Sequence, residues 1–284
     1  MLSLLSDVGV HHFLRVIVMP PVAKRASVEA LDLINRAIKN KRSLSDFERV
    51  KIESHLVSAK RSEMMDYYTV SACYYAHIAD IENLFLCADY VFSHDYDLSS
   101  AMNILFALYN TCQYEKIVAI LKGSGFESLD NHHFIDISVT AYSVCDEFGE
   151  VESIMENMDS GLLEEKIVRN AFFFSKRMQE NFSSNEDRAE LSQYLLSALS
   201  LYGKCVGDTY RDEIGEASLE YTFFEDEGEK LFDLKFTFDS ENEDAIFDAE
   251  DDFLSKVSKL NYKPSVRSRV SFSFDSTAGA GNDK

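Results

Sequence analysis

Three stretches in the middle of the chain share one pattern, and this pattern restricts the fold more than any other feature. Each stretch ends a helix, crosses a short polar break, places an apolar residue before Glu and then begins an apolar helix. Spacings of 33 and 37 residues separate the apolar–Glu pairs, which are Ile81–Glu82, Tyr114–Glu115 and Val151–Glu152. This period is typical of helix-turn-helix repeats, in which one hairpin cannot bury its apolar stripe alone. The pattern therefore predicts helical hairpins that stack on one another.

The composition agrees with a long run of helices. Only 11 Gly and 3 Pro occur among 284 residues, so few positions break a helix. Hydrophobic residues make up 46% of the chain, which is enough for a sizeable core in one large or two small domains. Apolar residues at helical spacing extend the predicted helical region to residues 26–207.

Residues 101–121 carry a recognisable order of residue types. A tetratricopeptide repeat has, in order, an aromatic residue, a small turn residue, a second aromatic residue, a small residue and a large residue. The corresponding positions here hold Leu108, Cys112, Tyr114, Ile117 and Leu121. The chain therefore resembles the tetratricopeptide family, in a degenerate form that lacks Trp. The resemblance implies an α-solenoid that presents surfaces to protein partners. Residues 141–158 also resemble a pentatricopeptide hairpin, which implies binding of single-stranded RNA.

After Gly207 the hydrophobic period changes from helical to two. Residues 219–223, 232–238 and 270–274 alternate apolar and polar side chains, and residues 242–260 return to helical spacing. This order predicts a small β-β-α-β module with one apolar sheet face. We therefore predict a mainly α protein with an N-terminal arm (1–25), tetratricopeptide-like repeats (26–207), an acidic β-β-α-β module (208–276) and a disordered tail (277–284). In the arm, residues 12–19 suit either a strand or a helix.

The formal net charge is −21, and most of it lies in one segment. Residues 212–252 hold 17 acidic and 2 basic residues. Such a chain repels phosphate backbones and gains nothing from anionic lipids, so direct nucleic-acid or membrane binding is not expected. A basic protein partner fits the sign of the charge, although a solvated acidic face is the simpler explanation.

Residues that carry enzyme chemistry do not form any known pattern. The five Cys include no CxxC pair, the seven His show no HExxH or Cys/His metal spacing, and no GxSxG, P-loop or GxGxxG occurs. We therefore expect no catalytic residues, no metal and no cofactor. Reduced core cysteines and the lack of an 18-residue apolar run predict a cytoplasmic protein.

The sequence thus predicts a non-enzymatic interaction protein that regulates or sequesters a basic, nucleic-acid-handling partner. A homo-oligomer formed through the acidic module stays open beside this prediction. The predicted partner-binding residues are Glu225, Asp226, Glu227, Asp244, Asp248, Asp251, Asp252, Tyr67 and Tyr74.

Two other function classes stay open. A pentatricopeptide-like RNA binder needs a basic groove, for which the residues are Lys116, Lys122, Lys166, Arg169, Lys176 and Arg177. A metal-dependent hydrolase needs several carboxylates that converge in one pocket.

Overall fold

The computed structural model describes residues 10–12, 25–40, 42–61, 63–181, 184–207, 209–215, 217–226 and 229–277. Its first and larger part is helical. The helices are α1 (Arg25–Lys39), α2 (Asp46–Lys60), α3 (Met64–His77), α4 (Ile81–Phe92), α5 (Leu98–Asn110), α6 (Tyr114–Ser124), α7 (His132–Val144), α8 (Phe148–Asn157), α9 (Lys166–Asn181) and α10 (Asn185–Tyr202). A 3₁₀ turn (Ser160–Glu164) precedes α9, and a π-helical turn (Gly203–Gly207) follows α10.

The C-terminal part contains a small sheet covered by one long helix. After the short α11 (Arg211–Ile214) come β2 (Ala217–Asp226), β3 (Glu229–Phe238), α12 (Glu243–Val257), α13 (Pro264–Arg267) and β4 (Val270–Ser276). A three-residue strand near the N-terminus, β1 (Val10–His12), pairs with β2, so the strand order is β1-β2-β3-β4. The pairs β1·β2 and β2·β3 are antiparallel, and β3·β4 is parallel.

The predicted class is confirmed at this level: the described chain is mainly helical and ends in a small sheet. The assignment of the helices to a tetratricopeptide-like solenoid stays a prediction, as does the division of the chain at residue 207. The predicted strand or helix at residues 13–19 and residues 278–284 of the predicted tail lie outside the described residues.

Consecutive helices pair as antiparallel hairpins, from α1 with α2 to α7 with α8. The first helix of each hairpin also packs on the first helix of the next, through α1, α3, α5, α7 and α9. As a result α7 lies in the middle of the helices, and every residue from Phe134 to Val144 is buried. One buried cluster joins α1, α2 and α3, and a second, larger cluster continues from α3 to β4.

The turns inside three of these hairpins have the same geometry. Ala79, Cys112 and Asp146 each adopt the left-handed conformation, with φ of 58°, 57° and 60°. In each turn the next residue's N–H bonds back five residues: to the carbonyls of Tyr75, Leu108 and Tyr142. This is the Schellman motif, which ends a helix by satisfying its last carbonyls.

These turns correct the register of the predicted repeat. Ile81 and Tyr114 begin α4 and α6 as the sequence pattern indicates, but α8 begins at Phe148, one turn before Val151. The left-handed residues are therefore 33 and 34 residues apart. The helix α10 ends at Tyr202, and its C-cap Gly203 has a right-handed φ of −54° and begins the π-helical turn.

The left-handed Ala79 generates a prediction of stability. Glycine adopts this conformation without a Cβ clash, so Ala79→Gly is expected to raise the free energy of unfolding by about 0.5–1 kcal/mol. The same change at Ala119, an exposed position inside α6, should lower it by about 1 kcal/mol because helical glycine is more costly. Chemical denaturation of both variants measures the difference, and equal signs would contradict the turn geometry.

The sheet turns its apolar face towards the helices, and aromatic rings fill the boundary. The ring of Phe174 on α9 lies 4.5 Å from that of Tyr221 on β2, centroid to centroid. Tyr202 at the end of α10 stacks on Phe236 of β3 at 4.1 Å. From the remaining side, Phe253 of α12 lies 5.4 Å from Phe272 of β4. The larger core cluster is therefore continuous across residue 207.

A buried hydrogen bond also joins the two parts. The hydroxyl oxygens of Tyr114 on α6 and Tyr221 on β2 are 3.0 Å apart, and both side chains are buried. Because burial strips these hydroxyls of water, each needs a partner within the protein.

This pair can be tested by a double-mutant cycle. Tyr114→Phe or Tyr221→Phe alone should cost about 1–3 kcal/mol of unfolding free energy, because each leaves a buried hydroxyl with one partner fewer. The double variant should cost less than the sum of the singles, since both hydroxyls are then absent. Additive losses in urea denaturation would show that the two hydroxyls do not interact.

Candidate protein interface

The acidic helix α12 is fixed on the sheet by one apolar side. Ile246, Ala249, Phe253 and Val257 are buried at helical spacing against the sheet and α10. The side chain of Asn242 caps the first turn by accepting from the Ala245 N–H at 3.3 Å. Acidic residues in the first turn suit the positive end of the helix dipole. The helix is therefore held in one orientation with its opposite side in water.

That opposite side combines carboxylates with exposed apolar groups. Asp244, Asp248 and Asp251 are exposed on one face, and no ion pair within the described residues neutralises them. Phe247 is 60% exposed and Leu254 is 37% exposed on the same face. Neither residue is among the predicted partner-binding residues, although both lie outside the buried stripe of Ile246, Ala249, Phe253 and Val257. We call Asp244, Phe247, Asp248, Asp251 and Leu254 the α12 face.

The other predicted acidic residues do not join this face. Asp252 is half-buried, and its Oδ2 forms an ion pair with Lys256 Nζ at 2.9 Å. Glu225 and Asp226 end β2 at the hairpin, and Glu227 lies outside the described residues. The hairpin turn and the start of α12 are at opposite ends of β3, about 30 Å apart by strand rise. The structure thus divides the predicted acidic set into two places.

The polar face of the sheet is largely paired within itself. Asp233 accepts hydrogen bonds from Ser271 at 2.6 Å and Ser273 at 3.2 Å. Lys235 Nζ lies 2.5 Å from Asp275 Oδ2, and this hydrogen bond raises the pKa of Lys235 and lowers that of Asp275. The sheet's charged side chains therefore link neighbouring strands.

The edge strand β4 is also contacted by α12. The Phe274 N–H donates to Glu250 Oε1 at 3.0 Å. A strand N–H occupied in this way is not free to pair with an added strand. The carboxylate of Glu250 therefore serves the sheet edge and not the α12 face.

The two predicted tyrosine anchors have different surroundings. Tyr67 is half-buried in a ring cluster, with Tyr68 at 4.9 Å and Lys60 Nζ 5.0 Å from its ring centroid. Tyr68 in turn stacks on Tyr90 at 3.7 Å. Tyr74 is only 3% exposed, and its hydroxyl donates to Glu53 at 3.1 Å. Tyr74 is therefore a core residue and not a surface anchor.

The burial of Tyr74 predicts a pH dependence. Burial, reinforced by the hydrogen bond to Glu53, raises the pKa of Tyr74 from 10 to about 12. Because the folded pKa is the higher one, its contribution to stability is complete below pH 10 and is lost as the pH rises towards 12. The difference in tyrosinate absorbance between wild type and Tyr74→Phe should titrate near pH 12, and near pH 10 in denaturant. A midpoint near 10 in the folded chain would contradict the burial.

The basic residues considered for RNA binding are mostly paired with acids. Lys116 Nζ lies 2.5 Å from Asp89, and Lys122 Nζ lies 2.6 Å from Glu147. Lys176 and Arg177 both approach Glu180, at 3.7 and 3.8 Å. Lys166 and Arg169 are exposed on α9. These ion pairs reduce the positive potential that a nucleic acid would meet.

Other chemistry on the described residues is limited. Burial raises the pKa of the thiols of Cys73, Cys87, Cys112 and Cys145 to about 12, so these cysteines are protonated near neutral pH. No group of three or more His, Cys, Asp or Glu that could hold a metal ion lies in the described part of the chain. Among the same residues, no helix has the length and apolarity needed to cross a membrane.

No known protein family matches this chain, and comparisons with curated proteins and with solved structures find no match.

Proposed function

We propose that the chain is a non-enzymatic interaction protein that binds a basic protein partner through the α12 face. The observation that carries this proposal is the exposed Phe247 on a helix whose other side is buried, beside three carboxylates that no ion pair in the described part of the chain neutralises. Exposed aromatic side chains are typical anchors of interfaces, and surrounding charges direct the encounter and select the partner. In this proposal the helical hairpins form a tetratricopeptide-like scaffold that positions the face and regulates the partner it sequesters.

The geometry favours a partner with alternating apolar and basic groups. Phe247 and Leu254 are seven residues apart, which is about 10 Å along a helix axis. Asp244, Asp248 and Asp251 lie beside them within the same two turns. A segment that presents Lys or Arg around two apolar side chains at this spacing matches both features, as a nucleic-acid-handling protein can.

The α12 face can be tested without deleting the C-terminal part, because deletion would expose the rings of Phe174 and Tyr202. The wild-type chain and the variants Phe247→Ala and Asp248→Asn/Asp251→Asn are immobilised and exposed to native extract. The affinity of each for the captured protein is then measured. Phe247→Ala should weaken binding about ten-fold or more, as at an interface hot spot. The double Asn variant should mainly slow association and flatten the salt dependence.

Matched changes elsewhere serve as controls. Leu86 on α4 and Glu115 on α6 are exposed, so Leu86→Ala and Glu115→Gln should leave binding unchanged. A captured protein that binds all variants equally contradicts the proposal. Retention of single-stranded RNA at low salt, with affinity that falls steeply as salt is added, would instead favour the pentatricopeptide-like alternative.

A further inference from the structure

A second exposed apolar stripe lies at the other end of the chain, on α2. Phe47, Val50 and Val57 are 76%, 65% and 54% exposed. The opposite side of the same helix is buried. Ile52 and Leu56 belong to the buried cluster that α2 forms with α1 and α3, and Ala59 is buried on the same side. Large apolar side chains exposed together on one helix face are typical of an interaction surface.

The spacing of this stripe is that of a helix pair. Phe47, Val50, Ser54 and Val57 alternate steps of three and four residues, and Arg61 continues the series. Such a three-four alternation places side chains along the seam between two helices. Ser54, a small residue, lies at the middle of the stripe and allows a close approach.

The charges beside the stripe indicate which helix would lie against it. Asp46, Glu53 and Lys60 are seven residues apart and form one edge of the stripe, acidic at its start and basic at its end. When a two-fold axis relates two antiparallel helices, identical edges meet in opposite directions. The register that sets Phe47 against Val57 of a second copy then sets Asp46 opposite Lys60 of that copy, and symmetry repeats both contacts.

We propose that the chain self-associates through an antiparallel pair of α2 helices, one from each of two copies. The stripe is complementary to itself in apolar spacing and in the opposite charges of Asp46 and Lys60, so its occupant is a second copy of this chain. The α12 face takes no part in this contact and stays available to a partner. The proposal thus goes beyond the proposed function and does not depend on it.

Side-chain hydrogen bonds fix the start of α2. Ser45 and Glu48 form a capping box, and Arg42 lies 2.7 Å from Glu48 Oε1. These hydrogen bonds lower the pKa of Glu48 to about 2, so its carboxylate stays charged and the helix start stays fixed near neutral pH. Two like-charged pairs weaken the contact, Glu53 with Glu53 on one edge of the stripe and Lys51 with Lys51 on the other.

The expected association is weak. Each copy contributes one helix of 15 residues and carries a charge of −21, which opposes contact between copies. An interface this small lies below the range of about 1,200–2,000 Å² that stable complexes bury. Sedimentation velocity from about 10 to about 500 µM covers the affinities expected of such a contact.

A charge exchange tests both the contact and its direction. The variant Asp46→Lys has Lys at positions 46 and 60, and the variant Lys60→Asp has Asp at both positions. Two copies of the same variant therefore repel each other along this edge. Each alone should sediment as a monomer where the wild type dimerises. An equimolar mixture should recover dimers, because every Lys then meets an Asp. A parallel pairing of the helices, or an unrelated contact, does not produce this recovery.

Seam and control variants complete the experiment. Val57→Lys should abolish the dimer, while Leu86→Lys on α4 and Phe247→Ala on α12 should leave it intact. Circular dichroism and thermal melts of each variant establish that the fold is retained. A wild type that stays monomeric up to about 500 µM overturns the proposal. So does a dimer that survives Val57→Lys or is lost with Phe247→Ala, which would place the contact on the acidic module.

Discussion

The packing of the C-terminal part depends on burial of the apolar face of its sheet. The three strands β2, β3 and β4 present a row of aromatic rings on one side, and a sheet of this size is not stable while that side is exposed. The rings of Phe174 and Tyr202 cover it from α9 and α10, and α12 covers the rest. The last helices and the sheet therefore share one core, and the sheet ties the end of the helical hairpins in place.

This packing decides where the negative charge can lie. A carboxylate is costly to bury unless it is paired, so the acidic residues of α12 must lie away from the sheet or find a partner. Glu250 and Asp252 find one, at the β4 edge and at Lys256. Asp244, Asp248 and Asp251 face water around Phe247. The proposed contact face is thus what remains of an acidic helix after its structural pairings are made.

The sequence and the structure disagree most where the local signal is weak. Glycine usually marks a left-handed helix end, but these hairpins use Ala79, Cys112 and Asp146. The sequence pattern therefore predicts the start of α8 at Val151, three residues after its actual start at Phe148. The helix α7 carries Ser138, Thr140 and Ser143 and shows no polar side in the structure, because its neighbours enclose it completely. In the same way Tyr67 and Tyr74 have similar sequence surroundings, yet only the packing of α1 and α2 buries Tyr74.

The sequence by itself determined the local elements and the place of the charge. Hydrophobic periods of 3.6 and 2 specify helix and strand because side chains must share one buried side, and this period is written in neighbouring residues. Only the tertiary structure decided which apolar side chains stay exposed to water. Phe47, Val50, Phe247 and Leu254 remain exposed because no distant element among the described residues covers them. Burial of a side chain depends on elements far away in the chain, and one segment read alone does not contain them.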